Sequence, residues 1–375
     1  MSGQRSGAII VLPSLCAEGT PVMARDLCVQ WRKAGVEAAV VTLFDEPNEM
    51  APDFEALGVP ILRAHTARSG CGRYLAMVRF VAEAARELRP RGVLSMLFGW
   101  HAFIGLGAKL AGVPRVIAHV GNYPVGFEEP GFWKFQAEVL AGCPFTSRLV
   151  CCSEYVRDGI LRYFPVPRRH TAVIYNGRDL EDVARRAALV RGTEGGRPLR
   201  IGMVARLEVH KDQDTLIAAA GILARRRPVE LWLVGDGSRR AALEELARAQ
   251  RGQAEVCFLG ARRDVPEILG QLDVFAFSAK PDEGLGIALI EAMAARAPIV
   301  ATDVGACREV LEHGALGRIV PYRDAAAMAG ALEEVAAGGP EVEDRIERAA
   351  RSARERFSTE AMAAGYAGEL GLPMR

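Results

Sequence analysis

The feature that most constrains the fold of this chain is a regular alternation of short apolar segments with longer amphipathic segments along its 375 residues. The apolar run from Ala8 to Leu15, for example, is followed by an amphipathic stretch from Thr20 to Ala34. Short apolar runs are typical of strands buried on both faces, and strands that alternate with helices form parallel sheets. We therefore predict an α/β chain of doubly wound parallel sheets. In the first half the predicted strands are Ala8 to Leu15, Glu37 to Leu43, Val59 to Arg63, Gly92 to Phe98, Arg115 to Val120, Arg148 to Cys152 and Thr171 to Tyr175.

The alternation stops once and then restarts, which indicates two domains. Residues 179–198 are rich in Arg, Ala and Gly and show no strand pattern, so we interpret them as a linker. The N-terminal domain is then residues 1–178 and the C-terminal domain residues 199–356. Amphipathic helices are predicted from Val342 to Arg356 and from Thr359 to Leu370. In the second half the predicted strands are Leu199 to Ala205, Glu230 to Val234, Glu255 to Leu259, Asp273 to Phe277, Pro298 to Ala301 and Gly317 to Val320.

The composition excludes several classes of protein. The net charge is only +1 with 25% charged residues, so we expect no broad basic surface and no nucleic acid partner. The eight cysteines lack the paired spacing of zinc or redox sites, and we expect them to be reduced, buried thiols in a cytoplasmic protein. The apolar run after Arg5 is interpreted as a first strand rather than a signal peptide, and no run approaches the ~18 residues of a membrane span. Because the N-terminal half is only slightly basic, peripheral contact with a membrane stays open.

The stretch from Lys280 to Met293 is the strongest candidate for a binding site. It begins as a polar, glycine-containing turn after a predicted strand and continues as a helix of small and apolar residues. Such a helix start presents free backbone N–H groups, which suit an anion. Glu283 and Glu291 stand eight positions apart, so on a continuous helix they would lie about 12 Å apart along the axis and about 80° apart around it. A diphosphate between two hydroxyl-bearing rings would match that layout, although an acidic helix start is also stabilising without a ligand.

This stretch resembles the Glu-x7-Glu signature of the family-four retaining glycosyltransferases, which have the GT-B fold of two facing Rossmann-like domains. The resemblance implies that Glu283 binds hydroxyls of the donor sugar and that Glu291 binds the ribose. It also implies that the backbone at Gly284, Leu285 and Gly286 lies beside the sugar and the phosphates. In GT-B proteins the last helix crosses back onto the N-terminal domain, and we expect residues 357–375 to do so here.

A pair of basic residues follows the first strand of the second half. Arg206 and Lys211 would ordinarily be solvated surface charges, but they match the Arg and Lys that hold the donor diphosphate in the family. The triplet Asp212-Gln213-Asp214 superficially matches an Asp-x-Asp metal motif. Because Asp favours helix starts, we expect it to cap a helix from Thr215 to Ala224, and we expect no metal cofactor.

Other glycine turns are assigned by the same resemblance. Gly235 and Gly237 lie in one such turn, and Arg262 lies at the end of another. In relatives these two turns border the nucleotide base. Gly19 lies where relatives often have two adjacent glycines against the donor phosphates. The segment Thr302 to Ala306 looks like the family's Ser/Thr-Asx-x-Gly-Gly loop, with Ala306 in place of the second Gly.

Candidate residues in the N-terminal half come from loops after its strands, because ligands of such sheets bind at the carboxyl ends of the strands. His119 is either a satisfied loop-side histidine or, as in relatives, a residue that touches the transferred sugar. The aromatic and acidic segment from Phe127 to Phe135 either packs a helix on the core or forms an acceptor platform. The acceptor-binding candidates are Trp100, His101, Asn122, Tyr123 and Glu128.

These features together predict a cytoplasmic bacterial enzyme, a metal-independent, retaining glycosyltransferase. It would move a hexosyl group from a nucleotide diphosphate sugar, either a UDP-hexose or a UDP-N-acetylhexosamine, to a hydroxyl of a small molecule, glycolipid or glycan. His119, Arg206, Lys211 and Glu283 are the predicted catalytic residues. Three alternatives stay open: a glycosidase, whose carboxylates would have to stand about 5 to 9.5 Å apart, less than the helical separation of Glu283 and Glu291, a non-hydrolysing nucleotide-sugar epimerase of the same fold, and a two-domain sugar-binding protein.

Overall fold

A computed structural model describes residues 7–16, 19–124, 130–192, 196–209, 211–250 and 254–374 of the protein. The chain divides into two compact units. The N-terminal unit contains residues 1–178 together with residues 359–375, and the C-terminal unit contains residues 179–358.

The N-terminal unit is built on a parallel sheet of seven strands in the order β3-β2-β1-β4-β5-β6-β7. Every strand is joined to the next by a segment on a face of the sheet, which is the doubly wound arrangement predicted from the alternation. The strands are β1 Ala8–Leu12, β2 Ala38–Thr42, β3 Ile61–Arg63, β4 Gly92–Ser95, β5 Arg115–Val120, β6 Arg148–Cys151 and β7 Thr171–Val173. Its helices are α1 Gly19–Lys33, α2 Ala51–Ala56, α3 Gly72–Leu88, α4 His101–Leu110, α5 Phe132–Gly142, α6 Glu154–Tyr163 and the C-terminal α15 Thr359–Leu370.

Both faces of this sheet are covered by apolar side chains. In β1, Ile10 and Leu12 join a core with α1 and α15, while Ile9 and Val11 join a second core with α3 and α4. Successive side chains of a strand point to opposite faces, so a fully apolar strand requires cover on both sides. The C-terminal helix α15 is an integral part of the first core, where the indole N–H of Trp31 donates to the Ala363 carbonyl at 3.0 Å.

The C-terminal unit has a parallel sheet of six strands in the order β10-β9-β8-β11-β12-β13. Its strands are β8 Leu199–Val204, β9 Val229–Val234, β10 Glu255–Gly260, β11 Val274–Phe277, β12 Ile299–Thr302 and β13 Arg318–Val320. Its helices are α7 Leu180–Val190, α8 Gln213–Ala224, α9 Arg240–Ala249, α10 Val265–Gln271, α11 Ile287–Ala294, α12 Gly305–Val310, α13 Ala325–Ala336 and α14 Pro340–Arg356. The fold class predicted from the sequence is therefore confirmed in each unit.

Several predicted strands are too long at their carboxyl ends. β1 ends at Leu12 rather than at Leu15, and β4 ends at Ser95 rather than at Phe98. Pro13 has no backbone N–H to donate to a neighbouring strand, which stops the ladder there. Leu15 is nevertheless 1% exposed, because loop residues also pack on the core. Apolar character therefore marks burial beyond the last hydrogen-bonded residue.

The segment interpreted as a linker, residues 179–198, contains a helix that was not predicted, α7 Leu180–Val190. Asp179 caps α7 by accepting a hydrogen bond from the Asp182 N–H at 3.0 Å. Leu180, Val183 and Ala187 are buried, at the spacing of one helical face. This face packs against α10, and the helix belongs to the C-terminal unit.

The predictions about the cysteines and about membrane-spanning segments can be compared with the structure. None of the eight cysteines forms a disulfide within the described ranges, and Cys28, Cys151, Cys152 and Cys307 are buried as expected, but Cys71 is exposed. Among the helices of the described residues, none combines the length and the apolar character needed to cross a membrane.

Candidate active site

Loops after β8, β9 and β10 pack closely together at the carboxyl edge of the C-terminal sheet. A Cβ atom on Gly235 would lie 2.1 Å from the carbonyl oxygen of Ala205, and one on Gly237 would lie 2.4 Å from that of Leu207. Both glycines also have positive φ, 136° and 158°. The Gly235 N–H donates to the carbonyl of Gly260 at 2.8 Å. Gly235 and Gly237 are thus required for the approach of three backbones at this edge.

The loop that contains Arg206 and Lys211 is anchored at both ends. The side-chain amide of Gln213, a fully buried residue, donates to the Arg206 carbonyl at 2.9 Å. The Lys211 N–H donates to the Glu208 carbonyl at 3.0 Å, and Lys211 also forms a bridge with Ala279 after β11. Gln213 was not predicted as an anchor, because it stands two positions before the predicted helix start at Thr215, whereas α8 begins at Gln213 itself. His210 lies outside the described residues.

The structure brings Lys211 into direct contact with Glu283, a residue 72 positions away in the sequence. The ammonium of Lys211 pairs with the carboxylate, and the two side chains are only 12% and 10% exposed. The ammonium also lies 5.3 Å from the ring centre of Phe277 at the end of β11. Both residues were predicted for the site separately. Their contact depends on two strand ends that the fold places side by side, β8 and β11.

The helix start after Glu283 differs from the prediction. α11 begins at Ile287 and Gly286 takes the N-cap position in the left-handed region, with φ 82° and ψ 66°. Glu283 therefore lies in a loop, while Glu291 lies in the second turn of α11. The separation of about 12 Å and 80° assumed one continuous helix, so it does not apply, and neither does the argument against a glycosidase that rested on it. A Cβ on Gly286 would lie 3.1 Å from the Phe277 ring, and the positive φ also favours glycine at this N-cap position.

Thr302 holds the loop between β11 and Glu283 in place by hydrogen bonds to its backbone. Its buried hydroxyl accepts a hydrogen bond from the Ala279 N–H at 2.9 Å and donates to the Ala279 carbonyl at 3.0 Å. The neighbouring Asp303 accepts from Arg308, and this contact holds the pKa of the Asp303 carboxyl below its usual range. Thr302 was part of the loop recognised from the sequence, but its anchoring role was not predicted.

The carboxylates of the Asp-x-Asp triplet have different surroundings. Asp214 accepts hydrogen bonds from Arg239 at both oxygens, one of them at 2.9 Å, and this guanidinium lowers the pKa of Asp214. Asp212 occupies the N-cap position of α8, which begins at Gln213, but its side chain makes no capping hydrogen bond to the helix backbone. Burial raises the pKa of Asp212. Within the described ranges, no group of three or more His, Cys, Asp or Glu side chains is arranged to hold a metal ion.

Two further donor candidates lie in less specific surroundings. Arg262 has an exposed side chain whose Nε donates to Asp264 at 2.7 Å on the same loop. Gly19 is the first residue of α1 and is exposed, and the two residues before it lie outside the described residues.

His119 occupies a buried position in β5 of the N-terminal unit. Its Nδ1 lies 2.8 Å from the hydroxyl of Tyr366 in α15, and burial lowers the pKa of the imidazole to about 4. The ring is therefore neutral at physiological pH and can offer one N–H donor or one acceptor, but no positive charge. A Cβ on Gly121 would lie 2.9 Å from Nε2, so glycine at that position leaves room for the ring.

The predicted acceptor residues divide into accessible and inaccessible ones. His101 is fully buried, its Nδ1 accepts a hydrogen bond from the Gly99 N–H at 3.0 Å, and burial lowers its pKa to about 4. The prediction that His101 contacts an acceptor is therefore corrected: the ring stacks on Phe98 within the unit, 5.6 Å between centres. Asn122 is exposed, and Tyr123 is half-buried. Glu128 lies outside the described residues.

Aromatic side chains surround the other acceptor candidates. Tyr123 stacks on Tyr155 with 4.2 Å between ring centres. Trp100 is half-buried and makes edge contacts with Phe44 and Tyr74. In the part of the predicted platform that follows residue 129, Phe132 is buried in the core whereas Trp133 is 67% exposed. This segment therefore both packs a helix on the core and presents an aromatic face.

Comparisons with known proteins agree with this architecture. Residues 17–182 match the family model described as Glycosyltransferase Family 4, and residues 198–337 match the one described as Glycosyl transferases group 1. EpsF of Bacillus subtilis (strain 168), a glycosyltransferase by name, is 28% identical over 320 residues, which cover 81% of this chain and 80% of EpsF. A Mycobacterium tuberculosis protein named GDP-mannose-dependent alpha-(1-6)-phosphatidylinositol monomannoside mannosyltransferase is 29% identical, with 69% of each chain covered.

Solved structures show the same fold at lower identity. The structure of Anabaena Alr3699/HepE in complex with UDP and glucose superposes with a TM-score of 0.82 at 19% identity, covering 98% of this chain and 99% of that chain. A glycosyltransferase from Rickettsia africae superposes with a TM-score of 0.81 at 16% identity, with 98% of each chain covered. With family models matching both halves of the sequence and two parallel α/β units of this kind, the chain belongs to glycosyltransferase family 4 and has the GT-B fold.

Proposed function

We propose that this glycosyltransferase is a retaining, metal-independent hexosyltransferase. It transfers a hexosyl group from a nucleotide diphosphate sugar, a UDP-hexose or a UDP-N-acetylhexosamine, to an acceptor hydroxyl. The observation on which the proposal depends is the Lys211–Glu283 pair at the carboxyl edge of the C-terminal sheet. It combines a cation suited to a phosphate with a carboxylate suited to sugar hydroxyls, and it stands beside a helix start.

The charge arrangement suits departure of a nucleoside diphosphate. Breaking the bond between the sugar C1 and the phosphate oxygen leaves negative charge on that oxygen. Lys211, Arg206 and the backbone N–H groups at the start of α11 would stabilise this charge, which is usually the largest contribution in such sites. A diphosphate would compete with Glu283 for the Lys211 ammonium and so free the carboxylate to accept hydrogen bonds from the sugar.

Retention of configuration follows from a front-face reaction. The acceptor oxygen forms its bond to C1 on the face from which the phosphate leaves, and the acceptor proton passes to the leaving phosphate oxygen. This route needs no nucleophile from the protein. The neutral imidazole of His119 would then act as a hydrogen-bond partner for the transferred sugar rather than as an acid.

Uridine is the first nucleoside to test because the similar Anabaena structure contains UDP and glucose. A relative whose name specifies GDP-mannose makes guanosine the control. Thermal-shift measurements with UDP and GDP, each with and without its sugar, would rank the donors, since a bound ligand raises the melting temperature. The free cysteines fit a reducing compartment, and we place the reaction in the cytoplasm.

The experiment that tests this proposal compares Glu291→Ala and Glu283→Ala in the presence of excess chelator. Loss of Glu291 removes a charged acceptor for the ribose, so UDP affinity should fall about tenfold or more. Glu283→Ala should retain UDP affinity and lose most of the transfer rate, because its partner is the sugar. Unchanged UDP binding by Glu291→Ala would contradict its assignment, and activity that requires added magnesium or manganese would contradict metal independence. An inverted anomeric configuration in the product, measured by NMR, would exclude the retaining mechanism.

A further inference from the structure

Two arginine side chains, Arg68 and Arg73, lie over neighbouring aromatic rings in the N-terminal unit. The guanidinium carbon of Arg68 is 4.9 Å from the ring centre of Phe44. That of Arg73 is 4.7 Å from the ring centre of Tyr74 and 5.1 Å from that of Trp100. We call these five residues the arginine–aromatic cluster. Stacking on ring faces orients each planar guanidinium and leaves its edge for hydrogen bonding.

The cluster lies at the edge of the sheet where ligands of such folds bind. Phe44 follows the carboxyl end of β2, and Trp100 follows the carboxyl end of β4. These two strands flank β1 in the sheet, so their loops are close neighbours. Tyr74 and Arg73 come from the first turn of α3, and the ring of Tyr74 contacts that of Trp100.

The positive charges of the cluster are not neutralised by carboxylates. Arg68 donates to the backbone carbonyl of Glu46, and Arg73 donates to the carbonyl of Arg68 and to the Tyr74 hydroxyl, the latter at 2.8 Å. Within the part of the chain that the structure describes, neither guanidinium forms an ion pair. The nearby carboxylate of Asp45 is taken by His65, at 2.8 Å.

This situation differs from that of several arginines elsewhere in the chain. Arg186, Arg197 and Arg239 each bind a carboxylate through two nitrogens. Moreover, the Nε of Arg73 is buried and has no hydrogen-bond partner. A guanidinium that has lost part of its hydration without gaining a counter-charge favours an anionic ligand.

We propose that the arginine–aromatic cluster is the subsite for a phosphoryl group on the acceptor, with the aromatic rings packing against the adjoining sugar or lipid carbon atoms. This inference rests on the proposed function, because it assigns a substrate class to the acceptor side of the same reaction. The two terminal nitrogens of Arg73 each use one N–H, on the Arg68 carbonyl and on the Tyr74 hydroxyl, so each keeps a second N–H that can donate to a phosphate oxygen. The acceptor is therefore a phosphorylated compound rather than a neutral glycan.

Calorimetric titration of the full-length protein tests the proposal, with the donor site filled by saturating UDP. Glucose 6-phosphate, octyl phosphate, glucose and glucosamine are the probes. We expect the parent to bind one or both phosphates at least about tenfold more tightly than glucose. Tighter binding of glucose 6-phosphate than of octyl phosphate assigns the phosphoryl group to a sugar, and the reverse assigns it to a lipid. Equal binding of the phosphates and glucose, or tighter binding of glucosamine, overturns the proposal.

Variants at two positions of α3 test whether the phosphate binds at the arginine–aromatic cluster. Arg73→Met retains an apolar stem against the rings and should abolish the preference for phosphate. Arg79→Met, an exposed position on the same helix, is the matched control and should retain it. Arg73→Lys keeps the charge but not the planar guanidinium, so it should give an intermediate affinity for phosphate. It replaces Arg73→Met in the test if Arg73→Met does not fold. Full phosphate preference in Arg73→Met, or in Arg73→Lys where only that variant folds, excludes this site.

The proposed function can fail separately from this inference. If UDP and UDP-hexose do not bind the parent, the donor assignment is wrong. The same phosphate titrations are then made without UDP on the parent and on Arg206→Met, so that phosphate bound at the C-terminal unit is identified. A preference that survives Arg206→Met and disappears in Arg73→Met still supports an anion subsite at the cluster.

Discussion

At the scale of single residues, the contact between Lys211 and Glu283 determines how the site behaves without a ligand. Each charge is almost removed from water and has the other as its counter-charge. A buried pair contributes little over an apolar pair, but removal of one partner leaves an uncompensated charge. Lys211 and Glu283 are therefore coupled in stability as well as in binding.

A double-mutant cycle measures this coupling. Lys211→Met and Glu283→Gln should each lower the free energy of unfolding by about 3 kcal/mol, whereas the double variant should lose less than the sum of the two. Urea unfolding at neutral pH provides the measurement. All three variants should lose transfer activity. The double variant should therefore recover part of the stability without recovering activity. Strictly additive losses would show that the two side chains do not interact in solution.

Two buried histidines should make stability depend on pH. Burial lowers the pKa of His101 and of His119 to about 4, from 6.5. Between these values the unfolded chain binds more protons than the folded one, so stability is complete above pH 6.5 and is lost as the pH falls toward 4. At pH 5 the loss should be about 2 kcal/mol for each ring.

The check is urea unfolding at pH 7 and pH 5 for the parent, His101→Asn and His119→Asn. Each variant should show a smaller difference between the two pH values than the parent, whatever its absolute stability. Equal differences in all three proteins would mean that other groups cause the pH dependence.

At the scale of structural elements, glycines allow the loops of the C-terminal sheet edge to approach one another. Gly235 and Gly237 lie against backbone oxygens, which cannot move aside as a flexible side chain can. The positions of Arg206 and Lys211 depend on this packing, because their loop touches the loop of Gly235 and Gly237. Gly235 and Gly237 can therefore control the donor site through backbone packing.

Gly235→Ala should destabilise the protein and weaken UDP binding. The added Cβ would meet the Ala205 carbonyl at 2.1 Å and would impose a strained φ of 136°, a cost of at least about 1 to 3 kcal/mol. Gly330→Ala in α13 is the control, since its Cβ would meet nothing within 4 Å, and it should add roughly 0.5 to 1 kcal/mol of stability. Thermal unfolding with and without UDP measures both effects. A Gly235→Ala variant as stable as the parent would refute the close approach.

At the scale of the whole molecule, the chain returns to the N-terminal unit after completing the C-terminal one. α15 supplies Met362, Tyr366 and Leu370 to the core beside α1, and each is 1% exposed or less. Gln30 donates to the Thr359 hydroxyl at 2.9 Å, and Arg115 donates to the Glu369 carbonyl at 3.2 Å. The last seventeen residues are therefore needed for a unit that is otherwise formed by the first half of the sequence.

Removal of residues 359–375 should unfold the N-terminal unit selectively. The deletion exposes the α1 face that contains Trp31 and removes the Tyr366 partner of His119. We expect a second, lower-temperature transition in calorimetry and faster hydrogen exchange in β1 and β5, while β8 and β11 remain protected. Uniform loss of protection in both units would show that they do not unfold independently. The substitution Tyr366→Phe, which keeps the ring, should preserve a single transition.

Periodicity was sufficient for much of the fold because it reflects forces that act locally along the chain. Short apolar runs that alternate with amphipathic segments are typical of buried parallel strands, and all the predicted strands are present in the two sheets. The helix α15 was predicted with its observed bounds, Thr359–Leu370. The helix α7 was missed because Arg and Gly around it concealed the spacing of Leu180, Val183 and Ala187.

The sequence by itself determined the two α/β units and the identity of the charged residues in the candidate site, since motif residues keep their order and their positions after strands. Only the tertiary structure decided which of them meet. The Lys211–Glu283 pair, the Tyr366–His119 hydrogen bond and the stacking of Arg73 on Trp100 join residues that are 27 to 247 positions apart. These contacts depend on strand order and helix packing, which are set by burial summed over the whole chain. Burial also decided that His101 belongs to the core, because no local signal distinguishes a ring that points inward from one that reaches a ligand.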